Sequence, residues 1–326
     1  MAERRVLAVR LGSMGDIIHT LSAVATLKHS FPRCRLSWIV DPKWAPLLEG
    51  NPFLDEVIHF DRKKLGGMLE AGRRLRAGGF DTVVDFQGLI KSALVASVAR
   101  PERIHGFHQS QLRERLAAIF YSHRTLARSA HVVDRNLELA AAAGATSLLR
   151  AFPLPPGSPE GTLPARSFVL GTPLAGWPAK QWPLENYAEL GRLLRDELSL
   201  ALVLNGPPEA APEFAAITGV ATHFSGVAGL IDATRRAAAV VGIDSGPLHL
   251  AAALGKAGVA IYGPTDPERN GPYGGSITVL RSPGARTSYK RRAQVDDSMR
   301  RISPEAVFEA LKARIADRAK SAGDSL

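Results

Sequence analysis

The chain has 326 residues, 45% of them hydrophobic, which suits two domains of ordinary size and excludes a disordered or fibrous protein. Its net charge of +10, from 41 Lys and Arg against 31 Asp and Glu, points to an anionic partner such as nucleic acid, a phosphorylated substrate or an acidic membrane; a basic surface that only keeps the protein soluble is the plainer account. A single cysteine, Cys34, excludes an internal disulfide and a Cys-based metal site.

No apolar run approaches the roughly 18 residues of a membrane span, and the N-terminus shows no cleavage signal. The expectation is a cytoplasmic protein, in contact with a membrane only peripherally. From the N-terminus, "RVLAVRL" (5–11) reads as a strand and 16–29 as a helix. "RLSWIVD" (35–41) and "EVIHFD" (56–61) read as further strands, followed by a basic amphipathic helix over 64–77. "FDTVVDFQG" (80–88) is a strand ending in a polar turn, 89–98 a helix, and "RIHGF" (103–107) another strand. Apolar strands alternating with helices indicate a parallel sheet covered on both faces.

"FPLPPGSPEGTLP" (152–164) is too rich in Pro, Gly and Ser for helix or central strand and reads as a linker. Beyond it the alternation restarts. "SFVLGTPLA" (167–175), "LALVLNG" (200–206), "AAAVVGIDSG" (237–246) and "GVAIYGP" (258–264) read as strands with their turns; 182–197, 247–255 and 304–320 read as helices. The expected architecture is α/β: two doubly wound domains, 1–152 and 162–326, joined by a linker at 153–161. The last helix can pack on either. Ligands of open α/β sheets sit at the carboxyl ends of the strands, so a cleft shared by the two domains is the expected site.

The polar residues cluster at those strand ends. In "GIDSGPLHLAAALG" a strand delivers Asp244, Ser245 and Gly246 turn the chain, and a helix starts whose first amides and dipole suit a phosphate or diphosphate. His249 lies one turn on, on the Ser245 side. Taken alone, helix capping and a buried histidine are the plainer account of these residues, but "YGPTDPERNGPYG" sets a second polar turn, with Thr265 and Asp266, on a neighbouring strand. Lys180 in "PLAGWPAKQWP" is placed to neutralise a diphosphate, or is a solvated lysine between two tryptophans. Glu209, after "VLNGPP", can accept from ribose hydroxyls or be an ordinary surface glutamate.

The first domain opens differently. "VRLGSMGDIIHT" lacks the three spaced glycines of a dinucleotide site and offers a carboxylate, Asp16, at a helix start. Beside the amides of Gly12–Gly15 it can take a proton from a substrate hydroxyl, or simply cap the helix. Ser13 and Gly15 of this turn, and Asp85, Gln87 and Lys91 of "DFQGLIKS", are candidates for holding an oxygen-rich acceptor.

The stretches "LGSMGDIIHTL", "DFQGLIKSA", "GWPAKQWP", "VVGIDSGPLHLAAALG" and "IYGPTDPERNGPYG", spread in order over almost the whole chain, resemble the ADP-heptose:lipopolysaccharide heptosyltransferases. These form glycosyltransferase family 9 and have the GT-B fold, two Rossmann-like domains facing across a cleft. The "SMGD" and "YGPTDP" forms look most like the heptosyltransferase I type. The resemblance implies inverting transfer of L-glycero-D-manno-heptose from ADP-heptose to the Kdo sugar of the lipopolysaccharide inner core, on the cytoplasmic side of the inner membrane. Heptosyltransferase II-like transfer, or that of another nucleotide sugar, is the alternative within the family.

By the same resemblance Asp16 is the base, Lys180 binds the diphosphate, Asp244, Ser245, Gly246 and His249 grip the donor, and Glu209 meets the ribose. No metal or other cofactor is expected, because Lys180 and the helix start can meet the leaving charge. Ser245 stands where threonine is more usual, and "LAGWPA" lacks the threonines that some members point at phosphate. Arg73, Arg74, Arg76, Arg113, Arg115 and Lys290–Arg292 are candidates for steering toward a Kdo-lipid A acceptor, which is strongly anionic.

Two other classes fit less well. An NAD-dependent oxidoreductase would want G-x-G-x-x-G at the first turn. A nucleic-acid-binding protein would want a basic, aromatic stacking platform, and aromatics are only 6% here, so no nucleic-acid partner is expected.

Overall fold

The computed structural model describes residues 4–288 and 292–323; Lys290 and Arg291 lie outside the described residues. The chain divides into two compact units, Met1–Pro155 and Pro156–Leu326.

Unit 1 carries β1 (Arg5–Val9), α1 (Met14–Ser30), β2 (Arg35–Val40), β3 (Glu56–His59), α2 (Leu65–Ala77), β4 (Thr82–Asp85), α3 (Ile90–Val98), β5 (Arg103–Phe107), β6 (His123–Thr125) and α4 (Val132–Ala142). All strand pairs are parallel, in the order β3-β2-β1-β4-β5-β6. The order runs one way from β1 to β3 and the other way from β4 to β6. Right-handed crossovers therefore put α1 on one face and α2, α3 and the 3-10 segment Arg115–Phe120 on the other. α3 packs against both α2 and that segment, while α4 covers α1. The double cover explains why α1 is buried along most of its length, from Met14 to Leu27 except Asp16.

Unit 2 repeats the plan. It carries β7 (Phe168–Thr172), α5 (Leu184–Leu198), β8 (Ala201–Gly206), α6 (Ala211–Phe214), β9 (Ala221–Phe224), α7 (Val227–Arg236), β10 (Ala239–Ile243), α8 (Gly246–Ala253), β11 (Gly258–Tyr262), α9 (Pro267–Asn270), β12 (Ile277–Arg281), α10 (Asp297–Arg300) and α11 (Pro304–Gly323). The parallel order is β12-β11-β10-β7-β8-β9, the same doubly wound scheme. The last helix belongs to this unit: α11 lies on α5, β10, β11 and β12, and Arg314 Nε donates to Thr278 Oγ1 at 2.6 Å. Its core holds Trp182, Tyr187, Phe214 and Phe308, and Trp182 Nε1 donates to Ile302 O at 2.8 Å.

Of the stretch 80–88, Thr82–Asp85 is the strand, and the polar turn that ends it is held by the Asp85 side chain, which takes the backbone amides of Gln87 and Gly88. Sequence periodicity did not pick out β6, β9 or β12, which run only three to five residues, nor α4 and α7.

Candidate active site

In each sheet the strand order reverses at one place, and ligands of open α/β sheets bind beyond the carboxyl ends there. In unit 1 it lies between β1 and β4, where Val9 pairs with Asp85. The turn after β1 leads to Ser13, the N-cap of α1, and Asp16 is the third residue of the helix. Asp16 is thus not itself the N-cap. It reaches back instead: its Oδ2 accepts from Ser13 N at 3.1 Å and from Ser13 Oγ at 2.9 Å, the return half of a capping box. Its Oδ1 pairs with Arg10 Nη2 at 2.5 Å. The Asp16 side chain still keeps 41% of its surface exposed, so the carboxylate is both anchored and reachable.

Arg10 is a component the sequence reading missed, since it looks like the tail of a strand. It is 8% exposed, its Nη1 donates to Phe86 O at 2.5 Å, and its carbonyl accepts from Trp38 Nε1 at 3.0 Å. One guanidinium therefore ties Asp16 to the backbone beyond β4. Gly12 lets Trp44 lie against this turn, because a Cβ there would meet Trp44 Nε1 at 3.0 Å.

Asp85, expected at an acceptor-facing turn, lies deep in the unit. It is fully buried and accepts from Gln87 N (2.8 Å), Gly88 N (3.2 Å), Ser92 Oγ (2.8 Å) and Tyr121 Oη (2.7 Å). Burial pushes its carboxyl above the usual range against the pull of these four donors. A carboxylate so enclosed shapes the turn, in which Gly88 holds φ +70, and has all four of its hydrogen bonds within the protein. Gln87 joins the two loops, its Oε1 accepting from Leu11 N at 2.8 Å. Lys91 stands exposed in the first turn of α3; Gly15 is buried in the first turn of α1 and Ser13 is exposed.

In unit 2 the reversal lies between β7 and β10, where Thr172 pairs with Gly242. Gly242 is needed there, since a Cβ would sit 2.5 Å from Thr172 Oγ1. The loop after β7 delivers Lys180 and the end of β10 delivers Asp244, and the two meet. Lys180 Nζ lies 2.6 Å from Asp244 Oδ2 and 3.2 Å from the Asp244 carbonyl, and 4.6 Å from the centroid of the Trp177 ring. His249 Nε2 approaches Asp244 Oδ1 at 3.5 Å. Burial alone would raise the Asp244 carboxyl, but the His249 hydrogen bond and the Lys180 charge more than offset it and hold it well below the usual range. Asp244 thus orients both a cation and an imidazole.

The start of α8 is narrower as an anion site than the sequence suggests. Pro247 has no N–H, and those of Leu248 and His249 turn back to the Ser245 carbonyl at 3.2 and 3.4 Å, which leaves the Gly246 amide at the tip. Ser245 Oγ and Thr265 Oγ1, at the ends of β10 and β11, are buried without a hydrogen-bond partner among the described residues. A buried hydroxyl left so costs about 1–3 kcal/mol, and a phosphate oxygen is one group that can satisfy it. Glu209 stands exposed on the 3-10 turn Pro208–Ala210 that follows β8.

A family model described as glycosyltransferase family 9 (heptosyltransferase) matches residues 68–298, well over half of the sequence. The chain belongs to glycosyltransferase family 9. A lipopolysaccharide heptosyltransferase 1 of Escherichia coli O18:K1:H7 (strain RS218 / NMEC) is 32% identical over 311 residues, 86% of this chain and 92% of its own length. Its namesake in Pseudomonas aeruginosa PAO1 is 30% identical over 307 residues, 85% of this chain and 84% of that one. Among solved structures, the E. coli heptosyltransferase WaaC with ADP superposes at a TM-score of 0.77 and 26% identity, covering 95% of this chain and 99% of that one.

This family 9 chain is therefore a glycosyltransferase on the GT-B fold, and neither an oxidoreductase nor a non-catalytic binding module. Among the described residues no cluster of three or more His, Cys, Asp or Glu is placed to hold a metal ion, and no helix is long and apolar enough to cross a membrane.

Proposed function

We propose that this family 9 enzyme moves heptose from ADP-heptose to a Kdo hydroxyl of the lipopolysaccharide inner core, inverting the anomeric centre. The donor is supported by a further WaaC structure, which holds ADP-2-deoxy-2-fluoro heptose and is 26% identical at a TM-score of 0.74. Asp16 takes the proton of the acceptor hydroxyl, whose oxygen bonds to the anomeric carbon from the face opposite the diphosphate. The bond to ADP breaks with its electron pair, and Lys180, the Gly246 amide and the Ser245 and Thr265 hydroxyls meet that charge. Asp244 and His249 hold the donor side in register, and Glu209 accepts from the ribose. Lys180 fills the role a metal would otherwise have, so the reaction runs without one.

On unit 1, Ser13, Gly15, Gln87 and Lys91 are the acceptor-facing groups of this reading. The acceptor is Kdo-lipid A in the cytoplasmic face of the inner membrane, where the enzyme docks peripherally, and Arg73, Arg74, Arg76, Arg113, Arg115 and Arg292 steer toward its negative charge.

The observation that carries the proposal is one of placement: the reachable carboxylate and the lysine–aspartate–histidine group each stand at the reversal point of their own sheet. The test is incubation with ADP-heptose and Kdo2-lipid A, with and without EDTA, read by mass spectrometry. One added heptose, indifferent to EDTA, is the expected product, and Asp16→Ala is expected to bind donor but transfer almost nothing. Full transfer by Asp16→Ala would remove the aspartate from the chemistry. Addition only to an acceptor that already bears heptose would assign the heptosyltransferase II reaction instead.

A further inference from the structure

Most of the large exposed apolar side chains among the described residues gather on three neighbouring elements of unit 1. Of the eight large hydrophobic residues that face solvent among the described residues of unit 1, Leu65, Met68 and Leu69 lie on α2, Leu94 on α3, and Leu116 and Ile119 on the 3-10 segment Arg115–Phe120, while Leu126 and Leu148 stand apart in loops. These are the three elements that cover one face of the first sheet, and α3 touches the other two. Unit 2 contributes only Val279 among the described residues.

Their spacing presents them outward together. Leu65, Met68 and Leu69 follow the i, i+3, i+4 rule of one helix face, while Ala71 and Leu75 turn inward to the core. In a 3-10 helix residues i and i+3 eclipse, which puts Leu116 and Ile119, 63% and 71% exposed, on one side, with Ala117 and Ala118 buried between. An apolar layer of this kind needs a partner.

The same layer is cationic. Lys63, Lys64, Arg73, Arg76, Lys91, Arg113 and Arg115 are all exposed on or beside these elements. The only acidic residue within α2 is Glu70, 3.7 Å from Arg73. Asp61 lies 3.8 Å from Lys64, and Glu114 stands between Arg113 and Arg115 in the chain, so the cations outnumber the carboxylates without being rid of them. Leucine and isoleucine set among such an excess suit a surface that is apolar in depth and negative at its rim.

We propose that this face of unit 1 docks on an anionic lipid bilayer, with Leu65, Leu69, Leu116 and Ile119 entering the interface and the surrounding Arg and Lys pairing with headgroup phosphates. It rests on the reading that the acceptor is carried by a lipid, and goes further by assigning the surface and its mode of contact. A face held by charge alone needs no leucine at its centre; one held with a second protein copy needs no excess of cations.

The test is co-sedimentation of the full chain with phosphatidylcholine vesicles, with and without phosphatidylglycerol. Binding to the phosphatidylglycerol vesicles alone is expected. Leu116→Ser/Ile119→Ser is expected to weaken it at least tenfold, and Arg73→Glu/Arg76→Glu at least as much, with unchanged circular dichroism and melting temperature. Transfer to a lipid-free Kdo oligosaccharide is expected to survive Leu116→Ser/Ile119→Ser, since both residues lie outside the reacting groups.

Wild-type protein that ignores phosphatidylglycerol vesicles, or a Leu116/Ile119 double variant that binds them normally, overturns the assignment. So does a wild-type dimer that the double variant converts to monomer, which would make this face a contact between copies. Vesicle binding without transfer to either acceptor would sink the proposed reaction and leave the docking surface standing.

Discussion

Arg10 and Asp16 are six residues apart and face each other at 2.5 Å, with the arginine's second nitrogen fixed on the Phe86 carbonyl. The pair makes the position of the carboxylate depend on the loop beyond β4, not on its own helix alone. Arg10→Met keeps the apolar stem and removes the tether. It is expected to lower kcat for heptosyl transfer by about 30- to 100-fold with donor KM nearly unchanged, as misplacement of a reacting group by about an ångström does. Steady-state kinetics with a thermal melt check this. A loss confined to KM, or a full kcat, would show that the carboxylate holds its position without the arginine.

Lys180 meets charge that develops only as the diphosphate leaves. Lys180→Met is therefore expected to cost about 2–4 kcal/mol of transition-state stabilisation, or about 30- to 1000-fold in kcat, together with weaker ADP binding. The same change strips the buried Asp244 of its cation, so a small loss in melting temperature should accompany it. Calorimetric titration with ADP and single-turnover rates separate the two effects. Unaltered ADP affinity would place the diphosphate elsewhere.

Asp85→Asn tests whether this residue serves the turn or a ligand. Its Oδ1 accepts from two backbone amides and its Oδ2 from two hydroxyls, so the amide NH2 must take the hydroxyl side, where Ser92 Oγ and Tyr121 Oη have to turn from donating to accepting and the charge-assisted bonds are lost. The expected result is a destabilisation of about 1–3 kcal/mol in urea unfolding. Activity should recover in proportion to the folded fraction at low temperature. Native stability combined with lost acceptor binding would restore Asp85 as a contact residue.

Much of this architecture was legible in the chain because buried parallel strands must be nearly continuous apolar runs, as "RVLAV" and "AVVGI" are. The polar turns "GSMGD" and "GIDSG" stood out because they interrupt such runs at a fixed place, the carboxyl end of a strand. What could not be read was pairing across distance. Tyr121 reaches Asp85 from 36 residues away, and Lys180 reaches Asp244 from 64. Nothing local in "DFQG" announces that its carboxylate is enclosed by a later segment. Arg10 was hidden for a related reason: an arginine at the end of a strand looks like a surface residue until the β4 loop closes over it.

His105 offers a test of acid stability that is independent of the chemistry. It sits on β5, buried, and stacks on His123 of β6 with ring centroids 4.6 Å apart. Burial first, then the charges of His123, Arg103 and Arg4, push its imidazole down from 6.5 to about 4. The unfolded chain binds a proton near pH 6.5 while the folded chain resists it until about pH 4, so stability falls as pH drops through that window and is unaffected above it. The loss by pH 4 amounts to about 2–3 kcal/mol. His105→Gln cannot take up that proton, so its urea-unfolding free energy should decline less steeply than wild type between pH 6.5 and 4, whatever its stability at pH 7. Parallel slopes for the two proteins would mean that the acid sensitivity of the first sheet arises at another group.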